Sequence, residues 1–312
     1  MSCLPRRFVL GMLAAVTVGV AAPFPCEADG QKTILISLSN ASEPFQTLMR
    51  NEAQDEAGKL GVSLVFKDGR GDSARQANDL DDAVSTETGI DGIVLDPNDV
   101  LALAPAVNMA LEKGKPVITV DRRLYGMTRE IPHVGIDNVI GGRILAQWVT
   151  NNFPNGATIL HLTGQPGSSS GDERAKGVRD ELREAGSKYR IVADVAADWS
   201  RTEAQTATET ELGFLKQPPQ VIVADNDDMA MGALQGIHLA GSDGAGIKVI
   251  GFDALPFALT KLREGALSAT VDQQGGQQIR LALQQLVNQL RAGKVMDSVT
   301  VSPVLITADK LN

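Results

Sequence analysis

Short apolar runs alternate with longer amphipathic stretches along nearly the whole chain. Residues 33–38 (TILISL) predict a buried strand and residues 45–60 a helix that stops at Gly61. A strand at 62–66 follows, then a helix at 72–86 with Asp72 as its N-cap, a strand at 92–95, and a helix at 101–113 closed by Gly114. The run 116–123 (PVITVDRR) is the most informative of these. Four β-rich apolar residues, Val117 to Val120, end abruptly at Asp121-Arg122, as a buried parallel strand does when its carboxyl end opens on a polar space. The order β-α-β-α-β-α-β requires a parallel sheet with right-handed crossovers.

A second series then begins. After a short strand at 133–136, helices are expected at 138–152, 171–185, 202–215, 227–239 and 256–264. Strands at 158–163, 191–196, 221–224 and 249–252 lie between them. The tail reads as a strand at 269–271, a helix at 276–292 and an extended end at 299–306. Two doubly wound units of similar size predict two α/β lobes. No long Gly/Ser/Pro tract separates them, so short crossing strands are expected to join them.

The strand ends repeat one chemistry. The first strand leads to Ser39, Asn40, Glu43 and Phe45, the third to Asp96, the fourth to Asp121 and Arg122. In the second unit the strand ends lead to Asp172 and Arg174, Asp198-Trp199, Asp225-Asn226-Asp227, Phe252-Asp253 and Asp272-Gln273. In open α/β sheets ligands sit at the carboxyl ends of strands. Carboxylates, amides and guanidinium groups satisfy hydroxyls, which both donate and accept, and flat aromatics cover the C–H face of a sugar ring. The pattern therefore suits a sugar or polyol. Each of the strand-end aromatics Phe45, Trp199 and Phe252 taken alone is more often a core plug, and Trp148, within a helix, is assigned to the core.

Composition narrows the partners. A net charge of −9 over 312 residues argues against nucleic acid or an anionic membrane surface. Arg6 and Arg7 precede an apolar run at 8–22, about 15 residues and short of the roughly 20 a spanning helix needs. Residues 1–28 therefore read as a secretory signal peptide with cleavage after Ala28. Both cysteines, Cys3 and Cys26, lie in it, so the exported chain has no disulfide, thiol nucleophile or cysteine metal site. Loss of Arg6, Arg7 and Glu27, a net +1, takes the charge from −9 to −10.

Seven local motifs occur in an order that resembles the periplasmic sugar-binding proteins of the ribose and galactose/glucose class, the substrate-binding subunits of ABC importers. They are Glu43-Pro-Phe45, Val120-Asp-Arg122, Asp137-Asn-Val-Ile-Gly-Gly142, Asp172-Glu-Arg-Ala-Lys-Gly177, the run 224–233 (ADNDDMAMGA), Gly251-Phe-Asp253 and Ala269-Thr-Val-Asp-Gln273. Sugar-responsive repressors of the lactose-repressor type share the same core. The resemblance implies two doubly wound parallel-sheet lobes joined by three crossings, the type I periplasmic binding protein fold. One lobe would comprise 29–136 and 274–303, the other 137–273 and 304–312. It implies ligand contacts from Ser39, Glu43, Phe45, Asp96, Asp121, Arg122, Arg174, Trp199, Asn226, Asp253 and Gln273. A monomeric periplasmic protein is expected, without a cofactor, closing by a hinge on a small sugar or polyol and docking on a membrane permease. Three departures bear on the ligand. Glu43 stands where ribose binders have Asn, Asp96 where they have Asn, and Gln46 where they have a second Phe. These point to a more open and more polar pocket, for a hexose, inositol or other polyol rather than ribose, or for an amino sugar.

Other readings remain at this stage. A receptor for a sugar-like signal molecule, or a chemotaxis co-ligand, uses the same fold. Gly167-Ser-Ser-Ser-Gly171 matches the nucleophile elbow G-x-S-x-G, with Ser169 as nucleophile, but needs a histidine partner from His133, His161 or His238. A serine-rich turn capping the following helix is the plainer reading. A cytoplasmic repressor would need a helix-turn-helix where this chain carries the leader.

Overall fold

The computed structural model describes residues 31–85, 89–243 and 246–311. The leader, its cysteines and Thr86 lie outside them. The described chain forms two six-stranded sheets, each covered by helices on both faces.

The first sheet is built from β1 (Thr33–Leu38), β2 (Ser63–Asp68), β3 (Gly92–Leu95), β4 (Val117–Val120) and β5 (His133–Ile136), with β11 (Val299–Val301) at its edge. Its order is β11-β5-β4-β3-β1-β2, and every pair is parallel. Such strands must bury both faces. Ile34, Ile36 and Leu38 turn towards α1 (Pro44–Leu60) and α9 (Gly275–Ala292). Leu35, Ile93 and Leu95 pack with Leu80 of α2 (Ser73–Ser85) and Val107 of α3 (Ala104–Glu112).

The second sheet contains β6 (Ala157–Thr163), β7 (Tyr189–Ala196), β8 (Val221–Ala224), β9 (Lys248–Phe252), β10 (Ala269–Asp272) and β12 (Val304–Ile306). Its order is β12-β10-β9-β8-β6-β7, parallel except for β12 against β10. On one face lie α4 (Asn138–Asn152) and α5 (Ser169–Ala185), with Trp148 in their core. On the other lie α6 (Arg201–Phe214), α7 (Asp227–Leu239) and α8 (Pro256–Arg263). Glycines let the helix pairs meet backbone to backbone. A Cβ at Gly142 would stand 2.0 Å from the carbonyl oxygen of Arg174, and one at Gly232 would stand 2.2 Å from that of Arg201.

The chain passes between the sheets after β5, after β10 and between β11 and β12. The extended end at 299–306 is thus two strands, split at Ser302-Pro303 and paired to different sheets. Asp72 caps α2 by accepting from the backbone N–H groups of Ala74 and Arg75. Helix α3 starts later than its apolar pattern suggests. The Asp99 carboxylate accepts from the amides of Leu101 and Ala102, holding a turn, and the helix begins at Ala104 with a proline in its first turn.

Candidate ligand-binding site

The carboxyl ends of the two sheets face one another across a small cavity. It is lined by Glu43, Phe45, Gln46, Asp121, Arg122, Ser170, Arg174, Trp199, Asn226, Asp253 and Gln273.

Several lining residues are held in backbone conformations that only a tertiary fold imposes. Asp121 has φ 61°, Trp199 φ 63° and Asp253 φ 111°. Non-glycine residues there cost free energy, and such positions cluster at binding sites. At the end of β4 the Arg122 amide donates back to the Val120 carbonyl at 2.7 Å, turning the chain sharply so that Asp121 and Arg122 both face the cavity. The Asp253 turn is braced from behind by Asp227, which accepts from the Leu255 amide at 2.8 Å and the Thr270 hydroxyl at 2.7 Å.

Two buried guanidinium groups face three buried carboxyls, Asp96, Asp121 and Asp253, and the half-buried Glu43. Arg122 lies 3.4 Å from Glu43, 3.7 Å from Asp96 and 3.8 Å from Asp121. Those acids outweigh its burial and hold it firmly protonated. Arg174 is 2% exposed and stacks 3.6 Å above the Phe252 ring, with Trp199 at 5.4 Å. Its terminal nitrogens donate to the Asp225 carbonyl and, at 2.8 Å, to the Asn138 side chain. Burial pushes the carboxyls up. Glu43 rises to about 7, against the pull of Arg122. Asp121 also rises to about 7, from burial and the nearby Asp96. Asp253 stands well above the usual carboxylate range for the same reason, with Asp227 adding to it.

Seven buried side-chain atoms of lining residues have no hydrogen-bond partner. They are Gln46 Oε1, Asp121 Oδ1, Arg122 Nε and Nη1, Arg174 Nε, Trp199 Nε1 and Gln273 Oε1. Four donate and three accept. Unpaired buried polar groups are costly, and so many around one cavity mark a place for a polar guest.

Nine of the eleven residues expected to contact ligand line this cavity. Ser39 and Asp96 do not line it. Asp96 Oδ2 is drawn back by three donors, the Ser39 amide (3.2 Å), the Ser39 hydroxyl (2.6 Å) and Gln46 Nε2 (2.6 Å). Both residues form a supporting layer behind Arg122. Phe252, entirely buried, supports Arg174 and is not in the lining. Asn226 caps α7 through its side-chain oxygen, accepting from Met229 at 2.7 Å, and its amide donates to the Trp199 carbonyl. Gln46 and Ser170 line the cavity without having been expected to. Gln46 lies three residues after Glu43 at the start of α1, and Ser170 four before Arg174 on α5. Helical spacing from a named neighbour was the signal for each.

The elbow serine does not build a triad. Its Oγ accepts from the Arg123 amide at 2.7 Å. His133 pairs with Thr119, His161 lies between Asp225 and Asp194, and His238 pairs with Asp243.

Known proteins place this architecture. The ribose import binding protein RbsB of Bacillus subtilis is 33% identical over 281 residues, covering 89% of this chain and 88% of its own. A putative rhizopine-binding protein of Rhizobium meliloti is 27% identical, covering 86% and 85%. Among solved structures, the Caulobacter myo-inositol binding protein bound to myo-inositol shares 44% identity with a TM-score of 0.87, covering 89% of this chain and 94% of that one. An ABC transporter solute binding protein from Bacillus halodurans with bound myo-inositol shares 26% with a TM-score of 0.83, covering 90% and 96%. The family model described as periplasmic binding protein domain matches residues 34–294. The chain belongs to the periplasmic binding protein domain family.

Proposed function

We propose that this chain is the periplasmic substrate-binding subunit of an ABC importer for a monosaccharide or polyol, and that a cyclitol such as myo-inositol suits it better than ribose. The carrying observation is the ring of unpaired buried donors and acceptors around one small cavity. A ring compound bearing a hydroxyl on every carbon offers a donor and an acceptor in each direction. Phe45 and Trp199 supply flat surfaces for its C–H faces. The 44% identity with the Caulobacter myo-inositol binding protein supports the cyclitol over a pentose. The nine predicted lining residues, with Gln46 and Ser170, are the ligand contacts in this reading. Residues 1–28 are its export signal.

Transport follows from closure. Glu43, Phe45, Gln46, Asp121 and Arg122 come from the lobe of the first sheet; Ser170, Arg174, Trp199, Asn226 and Asp253 come from that of the second. A guest that bonds both favours the closed arrangement, and its differential affinity for closed over open sets how far it shifts the hinge. The closed form presents both lobes to the permease.

The test is a thermal melt against ribose, hexoses, inositols, alditols and amine-bearing polyols. A ligand at 1,000 times its Kd stabilises by roughly 4 kcal/mol, a rise of several degrees. A rise with inositols exceeding that with ribose is the expected result. A folded protein that no polyol stabilises would end this reading.

A further inference from the structure

We propose that Ser169 is a positioning residue of the closed state: it clasps the Asp121-Arg122 turn from the opposite lobe and sets how long a ligand is held, without touching the ligand. The three serines of Gly167-Ser-Ser-Ser-Gly171 have separate work. Ser168 is the N-cap of α5, its Oγ accepting from the Gly171 amide at 3.2 Å. Ser170 lines the cavity. Ser169, 3% exposed and absent from the lining, reaches across the cleft, where its Oγ accepts from the Arg123 amide at 2.7 Å.

The place of that bond gives it its effect. Arg123 directly follows the two cavity residues at the end of β4. Their turn is strained, with Asp121 at φ 61° and the Arg122 amide bonded back to Val120. Beyond Val120 the ladder adds only the Asp121 amide, which donates to the Val134 carbonyl of β5 at 3.0 Å. The Arg123 amide is the next donor along the chain, and it finds its acceptor on the other lobe. Closing the cleft therefore also holds the turn that aims Asp121 and Arg122.

Neighbouring contacts fall on the same side. The Val100 amide donates to the Gly167 carbonyl at 3.1 Å, and the Tyr125 hydroxyl to Glu173 at 2.9 Å. The Tyr125 amide donates to the Val100 carbonyl at 2.6 Å, joining the two loops of the first lobe that meet α5. Ser169 is the buried member of this set, and loss of its oxygen leaves the half-buried Arg123 amide without its acceptor.

The probe is myo-inositol, so the experiment rests on the ligand reading above. Ser169→Ala keeps the cap at Ser168 and a helix-favouring residue at the start of α5. Binding is measured by calorimetry, and rates by stopped-flow fluorescence of Trp199, which lines the cavity. The expected result is a dissociation rate about tenfold faster and an unchanged association rate, with the ligand-free protein still folded. Ser169→Thr, which keeps the oxygen, should restore slow release. A wild-type dissociation rate in Ser169→Ala overturns the proposal. If the wild-type protein binds no polyol, the ligand reading fails separately, and small-angle scattering of the ligand-free proteins decides instead. A larger radius of gyration in Ser169→Ala supports the clasp, and equal radii overturn it.

Discussion

Replacing Arg174 by Met separates binding from folding more cleanly than any other change at this site. Arg174 is the largest fully buried side chain, and each part of its guanidinium has a distinct neighbour. The plane lies on Phe252, two nitrogens hold Asn138 and Asp225, and Nε has no protein partner at the cavity. Met nearly fills the same volume and packs well on an aromatic ring. It leaves two acceptors without donors, at about 1–3 kcal/mol each, but it also removes the desolvation cost of a buried cation. The two effects oppose each other, and the melting temperature of the ligand-free protein should fall by only about 2–5 °C.

Ligand binding has no such compensation. A hydrogen bond from a charged donor contributes about 1.5–3 kcal/mol, so Kd should rise roughly 10- to 150-fold. The loss also removes a cation from beside Asp121 and Asp253, whose carboxyls it holds down. Both should then carry protons more readily and accept hydroxyls less well. Arg174→Lys keeps the charge but not the planar fork, and cannot serve Asn138, Asp225 and the cavity at once. It should also lose at least about tenfold in affinity. Calorimetry with myo-inositol, paired with a melt of each ligand-free variant, reads both quantities. A folded Arg174→Met that binds within about threefold of wild type would refute the assignment of this guanidinium to the ligand.

Burial raises the Glu43 carboxyl from 4.5 to about 7, so its folded form holds a proton that the unfolded chain releases. The ligand-free protein should lose roughly 3 kcal/mol from this group as pH climbs from about 4.5 to 7, and melts of Glu43→Gln across that range should lack this component. His161 runs the other way. Burial opposes its charge, but Asp225 and Asp194 on either side overcome it and raise the imidazolium to about 9. Its stabilisation is full below about pH 6.5 and lost as pH rises through 9, so the difference in melting temperature between wild type and His161→Gln should shrink over that interval. Gly142→Ala drives a Cβ into the Arg174 carbonyl and must push α4 from α5. It should destabilise by at least about 1–3 kcal/mol, seen as a lower melting temperature, and weaken binding by displacing Arg174.

The two-lobed plan was legible because parallel strands covered on both faces must be largely apolar. Val117–Val120 and Val221–Ala224 are buried at every position, and such runs are hard to mistake when helices of regular length separate them. The end of the chain was harder to read. Residues 299–306 have one continuous β-rich pattern, yet β11 pairs in parallel with β5 and β12 antiparallel with β10. Side-chain pattern records that a strand is buried, not which edge receives it. Only Pro303, which cannot donate to a ladder, marked the break.

The site was legible down to the strand ends but not to the side-chain tips. Asp96 sits at the end of β3, where a ligand contact is expected, yet whether a carboxyl reaches a cavity depends on what competes for its oxygens. Here the competitor is Gln46. Viewed singly, an acid for an amide at 96 and an amide for an aromatic at 46 suggested a more polar and more open pocket. In the fold they are one interaction, with Gln46 Nε2 bonded to Asp96 Oδ2 at 2.6 Å and both side chains wholly buried. The amide that occupies the place of a ring satisfies the acid behind it. Its own oxygen is left unpaired on a residue lining the cavity, and Asp96 Oδ1 remains beside Arg122. The added acid therefore holds the Arg122 guanidinium charged and in place, and in the proposed function it acts on the ligand through that group. Such a coupling joins residues 50 positions apart in the chain, and neither position read alone reveals it.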